Sequence, residues 1–419
     1  MLSQHIGAPC RAIVEKNQKV QAGQKIGNTD AFVSAPVHSP INGTVKDIAL
    51  QSHAVLGRSM AVIIEADPNN NPPRYPTSFF DRGFDESRYS PEQIRDAVRE
   101  AGLVGMGGAG FPTRVKLEPN PQIPKTTLII NGCECEPCIT CDYRIMLEWT
   151  NQIIAGTMLA KKASQCPQVI IGIEDNKPEA IRVMTEAVKA QLNDNNVKVI
   201  SVATKYPQGG ERQLITAILK KIVSTGGIPP MIGVLVINVA TAAAIAEAVL
   251  AGKPLTHRVV TITGDAVAKP GNYYVPIGTP VGELINFCGP VTDSSARVVL
   301  GGPMMGIAIA DLSTPITKTT GAVTVLNKKQ IGTAKFTGKQ TPCIRCGRCF
   351  RACPEHLNPT KIAHAVKNNL LDLAESSYYL SACIECGCCS YVCPAKIELT
   401  GLIKTGKILL ARQKKKMPV

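Results

Sequence analysis

Eight of the sixteen cysteines fall into two copies of one pattern, Cys343-x2-Cys346-x2-Cys349-x3-Cys353-Pro354 and Cys383-x2-Cys386-x2-Cys389-x3-Cys393-Pro394. Three closely spaced thiolates can wrap one corner of an iron–sulfur cube, while the fourth, followed by proline, leaves toward a neighbouring cube. The spacing therefore predicts two [4Fe–4S] clusters, one on Cys343, Cys346, Cys349 and Cys393, the other on Cys383, Cys386, Cys389 and Cys353. Zinc would favour paired Cys-x2-Cys units, and disulfides would need an oxidising compartment for which no signal is present. Cys388 lies inside the second copy, and the spacing does not require it as a ligand.

Between the copies, Ile362, Val366, Leu370, Leu371 and Leu373 recur close to helical spacing, so two short helices are expected there. Such clusters pass single electrons and choose no substrate. That choice must lie upstream.

Upstream, Gly102-Leu103-Val104-Gly105-Met106-Gly107-Gly108-Ala109-Gly110-Phe111-Pro112-Thr113 contains a literal G-x-G-x-x-G. A dinucleotide fingerprint must follow a strand and open a helix, whereas this one follows a helix and runs into Phe-Pro. A glycine run still lets backbone N–H groups approach a phosphate or a flat ring, because no Cβ intervenes. Strand-like Thr127–Ile130 then ends in Asn131-Gly132-Cys133-Glu134-Cys135-Glu136-Pro137. Strand-like Val169–Ile173, helical Pro178–Leu192, strand-like Val197–Val202, the turn Tyr206-Pro207-Gln208-Gly209-Gly210-Glu211 and strand-like Val234–Asn238 follow. This alternation predicts an α/β domain with ligand groups at strand ends. Cys133, Cys135, Cys138 and Cys141 crowd one short stretch; they are either a third metal site, a redox dithiol, or incidental small residues.

Residues 1–65 are rich in β-branched residues punctuated by Gly and Pro, with strand–turn–strand patterns at 19–26 and 35–45. They resemble the barrel-sandwich hybrid of biotinyl and lipoyl carrier domains, but the tip that presents the modified lysine there reads Asn28-Thr29-Asp30-Ala31-Phe32 here. Residues 66–90 read as a linker, and a helix follows with Ser90 as N-cap and Pro91 in its first turn. Residues 399–419 combine Leu402, Ile403, Leu409 and Leu410 with Arg412, Lys414, Lys415 and Lys416, a short amphipathic helix with a basic end suited to a membrane surface or to membrane-embedded partners.

A charged fraction of 19% with 44% hydrophobic residues excludes a mainly disordered chain. The formal charge of +14 asks for a negative partner, although two oxidised clusters would lower it to about +10. Neither an aromatic-interleaved basic stretch nor zinc-finger spacing is present, so nucleic acid is not expected. The first residues carry no basic start followed by an apolar run, so no secretory signal is expected. The best transmembrane candidate, Met231–Ala246, changes from β-branched to Ala-rich and contains Asn238, which fits a buried strand feeding a buried helix.

Gly105–Thr113 together with Asn131–Pro137 resembles the flavin-binding subunit of respiratory complex I. With the lysine-free barrel in front and the dicluster module behind, the whole chain resembles the RnfC family. Its members belong to Rnf complexes, membrane assemblies that pass electrons between ferredoxin and NAD and couple the flow to ion transport. The resemblance implies a multidomain α/β + β architecture: a barrel-sandwich hybrid (1–65), a linker (66–90), an α/β FMN/NADH-binding domain (91–255), a β-grasp-like SLBB domain (256–330), a helical 2×[4Fe–4S] domain (335–398) and the basic tail (399–419). It further implies that Gly107, Gly108, Gly110, Lys116, Asn131, Glu134 and Asn238 hold FMN, and that Phe111, Glu136 and Glu211 face the nicotinamide nucleotide, with NADH as substrate. The implied partners are membrane-embedded and ferredoxin-like subunits, at the cytoplasmic side of the cell membrane. Soluble relatives that serve reductases such as D-proline reductase, and a non-catalytic carrier or scaffold, are the alternative readings.

Overall fold

The computed structural model describes residues 1–69, 75, 85–192, 194–289, 291–292, 297–327 and 340–416. Most of the expected linker lies outside the described residues.

The N-terminal domain is built from two three-stranded sheets. One joins Arg11–Ala12, Lys25–Asn28 and Val37–His38; the other joins Lys19–Val20, Gly43–His53 and Gly57–Ala66. Val20, Ile26, Val37 and Val45 fill the space between them. The domain is joined to the glycine loop, where Ile6 N–H donates to the Gly110 carbonyl at 3.0 Å.

Helix Pro91–Glu100 opens the α/β domain with a reciprocal capping box between Ser90 and Gln93. Strands Val234–Asn238, Thr127–Gly132, Gln168–Glu174 and Val197–Val202 lie side by side in that order, all parallel. Helices cover both faces of this sheet, which is why Leu128, Ile129 and Ile130 form a continuous apolar run rather than alternating with polar residues. Each such side chain contributes roughly 1.5–3 kcal/mol by leaving water. Met231–Ala246 resolves into the buried strand Val234–Asn238 and the start of helix Val239–Ala251. That helix approaches helix Thr150–Ser164 so closely that a Cβ on Gly156 would lie 1.7 Å from the Ala242 carbonyl oxygen. Among the described residues, no helix is long and apolar enough to cross a membrane.

The third domain is a five-stranded sheet in the order Gly271–Pro276, His257–Thr263, Ala322–Leu326, Arg297–Leu300, Ile307–Ile309, with helix Val281–Phe287 packed on it. Two fully buried basic side chains weld it to its neighbours. Lys318 Nζ donates to the Pro36 carbonyl of the barrel and the Gly102 carbonyl of the α/β domain, both at 2.7 Å. Arg258 donates to the Lys318 carbonyl and, at 3.2 Å, to the Met106 carbonyl in the glycine loop. Three domains therefore meet where the glycine loop is held.

The last domain is helical. Pro359–Lys367 and Leu371–Ser376 separate the two cysteine motifs. Helix Leu399–Lys416 lies against them with Leu399, Ile403 and Leu410 buried, so much of its apolar side is used inside the module.

Candidate functional site

In an open parallel sheet, ligands bind beyond the carboxyl ends of the strands at the point where strand order reverses. Here the chain enters at Thr127–Gly132, builds outward through Gln168–Glu174 and Val197–Val202, and returns to the other side of the first strand with Val234–Asn238. The switch point thus lies between those two strands, and their register pairs Asn131 with Asn238.

The structure gathers most of the expected cofactor residues around this point. The glycine loop closes on itself, Gly105 N–H donating to the Phe111 carbonyl at 2.9 Å and Gly110 N–H to the Gly105 carbonyl at 3.2 Å. Its tip, Gly107 to Ala109, is exposed. A Cβ on Gly107 would press on Asn238 at 3.3 Å, while Gly108 has a φ of +112° and open space where a side chain would stand. Thr241 Oγ1 accepts from Met106 N–H at 2.9 Å and fastens the loop to helix Val239–Ala251. Asn238 caps that helix and donates to Asp142 at 2.5 Å. Asn131 donates to the Gly209 carbonyl at 2.9 Å, bringing the turn Tyr206–Glu211 against the strand end. Lys116 bridges Glu211 and the Val236 carbonyl. Phe111 is half-buried at the end of the loop.

Glu134 and Glu136 are both engaged with protein groups. Glu134 accepts from the amides of Asp142 and Tyr143 at the start of helix Cys141–Glu148. Burial first, and then the Asp142 charge, push its carboxyl well above the usual range. Burial raises Asp142 as well. Two desolvated carboxyls this close cannot both ionise easily, so the pair retains a proton at a pH where surface carboxyls have lost theirs. Glu136 accepts from the amides of Met304 and Met305 at 2.7 and 2.9 Å and so holds the glycine turn of the third domain beside the site. Of the four crowded cysteines, Cys133 and Cys141 are buried, Cys135 is half-buried and Cys138 is exposed. Among the described residues the group close enough to share one ion is Glu134, Cys141 and Asp142, and the four thiols do not converge.

The cradle fits a flavin on two observations. The glycine tip leaves backbone exposed where a Cβ would intrude, and buried Gln208 carries a side-chain N–H2 with no partner in the protein. An isoalloxazine edge and a phosphate both supply acceptors for such groups.

The turn that supplies Gln208 also reaches the cysteine motifs. Tyr206 O–H donates to the Cys386 carbonyl at 2.6 Å, and Gln213 donates to Glu355 at 2.6 Å with Arg212 alongside. Cys353, Cys383, Cys386 and Cys389 line one cavity together with Leu357, Ile362 and Ile403. Backbone N–H groups point at the sulfurs, Leu357 at Cys353 and Glu385 at Cys383, each at 3.3 Å, and Arg345 at Cys343 at 3.4 Å. Donors of this kind stabilise thiolates that carry cluster charge. Among the described residues no three of the motif thiols crowd as tightly as a single tetrahedral ion demands. The donor set suits a cube better than zinc.

Sequence reasoning missed Asp142, Tyr206, Gln208, Thr241 and Arg258. Tyr206 and Gln208 lay in a turn already singled out by its glycines. Asp142 and Arg258 carried no signal of spacing.

Four family models match in succession: the RnfC barrel sandwich hybrid domain over residues 1–69, the Nuo51 FMN-binding domain over 98–247, the SLBB domain over 259–308 and the 4Fe-4S dicluster domain over 337–394. The chain is 42% identical over 378 residues to the C component of the proton-translocating ferredoxin:NAD(+) oxidoreductase complex of Clostridium ljungdahlii, covering 90% of this chain and 80% of that one. This chain belongs to the RnfC family. The Na(+)-translocating counterpart of Acetobacterium woodii is 40% identical over 376 residues, covering 90% of this chain and 82% of its own. As an RnfC protein, the chain carries an FMN-binding domain and a 4Fe–4S dicluster domain on one polypeptide. A crystal structure of an NAD+-reducing [NiFe]-hydrogenase in the H2-reduced state shares the fold, with a TM-score of 0.55 at 18% identity over 82% of this chain and 70% of that one.

Proposed function

We propose that the chain is the nucleotide-oxidising electron-transfer component of a membrane-bound, ion-translocating ferredoxin:NAD oxidoreductase, relaying electrons between NADH and its two [4Fe–4S] clusters. The observation that carries this reading is the Tyr206–Cys386 contact, which joins the flavin cradle at the sheet switch point to the cavity of Cys353, Cys383, Cys386 and Cys389.

Bound FMN supplies conversion between a hydride equivalent and single electrons. Gly107 and Gly108 admit it closely, while Gly110, buried against Thr319 and His5, supports the loop from behind; Asn131 and Asn238 offer side-chain amides at adjacent strand ends, and Lys116 provides a positive charge. Glu134 orders the adjoining helix start. Phe111 and Glu211 face the nicotinamide nucleotide, and Glu136 serves that face through the Met304–Met305 turn it holds. The motif thiols divide crosswise: Cys353 joins Cys383, Cys386 and Cys389, while Cys393 joins Cys343, Cys346 and Cys349. The first set is the inner cluster and the second the outer. Ion movement belongs to membrane-embedded partners. The chain sits peripherally at the cytoplasmic face of the membrane and also meets ferredoxin-like subunits.

The test is anaerobic reconstitution with iron, sulfide and FMN, then NADH titration followed by EPR and flavin absorbance. Both clusters are expected to become reducible by NADH only when FMN is present. Clusters that stay oxidised in flavin-loaded protein would remove the reading.

A further inference from the structure

The ninth cysteine of the dicluster module has no place in the ligand spacing. Cys388 stands between the second and third thiols of the inner motif, at the register where the outer motif carries Arg348. Arg348 is exposed, whereas Cys388 is buried and lines the cavity of Cys353, Cys383, Cys386 and Cys389. It opens helix Cys388–Tyr391 directly after the left-handed Gly387, and both its backbone N–H and its thiol are hydrogen-bonded to the Cys386 side chain. Other sulfur contacts recur in pairs across the two motifs: Arg345 N–H at Cys343 and Glu385 N–H at Cys383, Thr360 at Cys349 and Thr400 at Cys389. The Cys388 thiol breaks that pairing. The corner it serves is also where two other domains arrive. Tyr206 donates to the Cys386 carbonyl at 2.6 Å, and a Cβ on Gly387 would lie 2.6 Å from the Met304 carbonyl oxygen. Cys386 is buried there, and a hydrogen bond away from water is electrostatically stronger than one at the surface.

A proton shared by two thiols can sit on either sulfur. Once Cys386 binds iron as a thiolate, the proton belongs to Cys388 and its S–H is the donor. Reducing a cube adds one negative charge, which spreads over the irons and their thiolates. A hydrogen bond to a ligating sulfur stabilises that added charge and so favours the reduced cluster. We propose that Cys388 is a positioning residue that acts through Cys386: its thiol donates to the ligating sulfur and holds the inner cluster at a higher reduction potential than the cysteine spacing alone would set. Cys388 binds no iron, and its proton stays on sulfur while one electron enters or leaves the cube. The inference rests on the assignment of Cys386 to the inner cluster proposed above, and adds to it the group that makes this cluster the readier acceptor of the flavin's electron.

The test is a redox titration of anaerobic holoprotein followed by EPR. The inner signal is assigned in Cys343→Ala protein, and the outer cluster of each sample serves as the internal reference. Cys388→Ala should lower the ratio of reduced to oxidised inner cube at a fixed potential by about three- to tenfold, roughly 30–60 mV at 59 mV per tenfold for one electron. The outer potential should not move. Cys388→Ser, which restores a donor as O–H, should recover most of the shift. An inner potential that is unmoved or raised in Cys388→Ala overturns the proposal. So does an equal fall in the Ala and Ser variants, which would mark packing rather than donation, and so does loss of the inner cube in Cys388→Ala, which would make Cys388 a ligand. Iron analysis of Cys386→Ala separates the two layers of the argument. Full iron there would sink the ligand assignment itself; a fall to one cube leaves that assignment standing, and the titration then judges Cys388 alone.

Discussion

The two halves of the ferredoxin module, residues 343–357 and 383–397, share a backbone and differ in their surroundings. The left-handed residues recur in register: Arg345 and Glu385 at φ 57° and 59°, Gly347 and Gly387 at 70° and 81°, His356 and Lys396 at 53° and 56°. The sulfur–threonine contacts recur as well, Cys349 with Thr360 at 3.6 Å and Cys389 with Thr400 at 3.4 Å. Yet Cys343 and Cys346 are exposed where Cys383 is half-buried and Cys386 is buried. Arg345, Arg348 and Phe350 occupy the positions of Glu385, Cys388 and Ser390. The motif specifies a cluster; its neighbours specify a direction. One cluster is inner because Tyr206, Gln213 and the Met304 turn close over its motif, and the other is outer because no described residue does the same there.

The sharpest break in that comparison is a matched pair of glycine substitutions. Gly347→Ala and Gly387→Ala both force a Cβ into left-handed backbone, at a cost of about 1–2 kcal/mol. The Cβ at 347 meets nothing within 4 Å, whereas that at 387 would lie 2.6 Å from the Met304 carbonyl oxygen. Gly387→Ala should therefore lose a further 1–3 kcal/mol or so, read as a larger drop in the unfolding temperature of anaerobic holoprotein at fixed scan rate. Equal drops would mean that the inner seam is not packed as described.

Lys318→Met tests the weld that fixes the glycine loop, and hence the distance from cradle to inner cluster. It leaves the Pro36 and Gly102 carbonyls without their donor and should cost about 1–3 kcal/mol. The sign of its pH dependence is also set. Burial lowers Lys318 to about 7 from 10.5, so the unfolded chain holds more protons between those values. Wild-type stability should rise with pH across that window, and the Met variant should lose this rise.

Tyr206→Phe removes a single hydrogen bond at the inner seam, worth about 1 kcal/mol. NADH-driven reduction of the inner cluster should slow several-fold in stopped-flow traces, with no change in how the outer cluster reacts with an added oxidant. The smallest effect concerns the carboxyl pair. Because Glu134 and Asp142 are raised, the folded state holds more protons than the unfolded one above the ordinary carboxylate range, and stability contributed by the pair is lost as pH rises. Asp142→Asn should flatten that decline over about pH 5 to 8 in flavin-free protein, seen in urea midpoints.

Much of the architecture was legible in the residues. The dicluster spacing, the alternation that builds the parallel sheet and the run of β-branched residues ending in Asn238 each reflect local chemistry, and the fold follows them. Asn131 and Asn238 were named through the resemblance to the flavin-binding subunit of complex I, and both stand at the carboxyl ends of neighbouring strands, where the alternation alone places ligand groups without saying which. What could not be read depends on packing between segments far apart in the chain. Arg258 sits in a plain alternating strand, and only the meeting of three domains turns it inward to the Met106 carbonyl. Glu136 belongs to a motif that resembles a nucleotide site, but its partners are amides 168 and 169 residues downstream. Nor could identical spacing say which cluster faces the flavin domain, since that is decided by Tyr206, which no cysteine pattern mentions.

The order of transfer is tested most directly by two register-equivalent variants, Cys343→Ala and Cys383→Ala, each loaded with FMN and shown by iron analysis to hold one cube. After rapid mixing with NADH and freezing, EPR should show the inner cluster reduced in Cys343→Ala, and the outer cluster still oxidised in Cys383→Ala although dithionite reduces it. An outer cluster reduced by NADH at the wild-type rate in Cys383→Ala would contradict entry through the inner one.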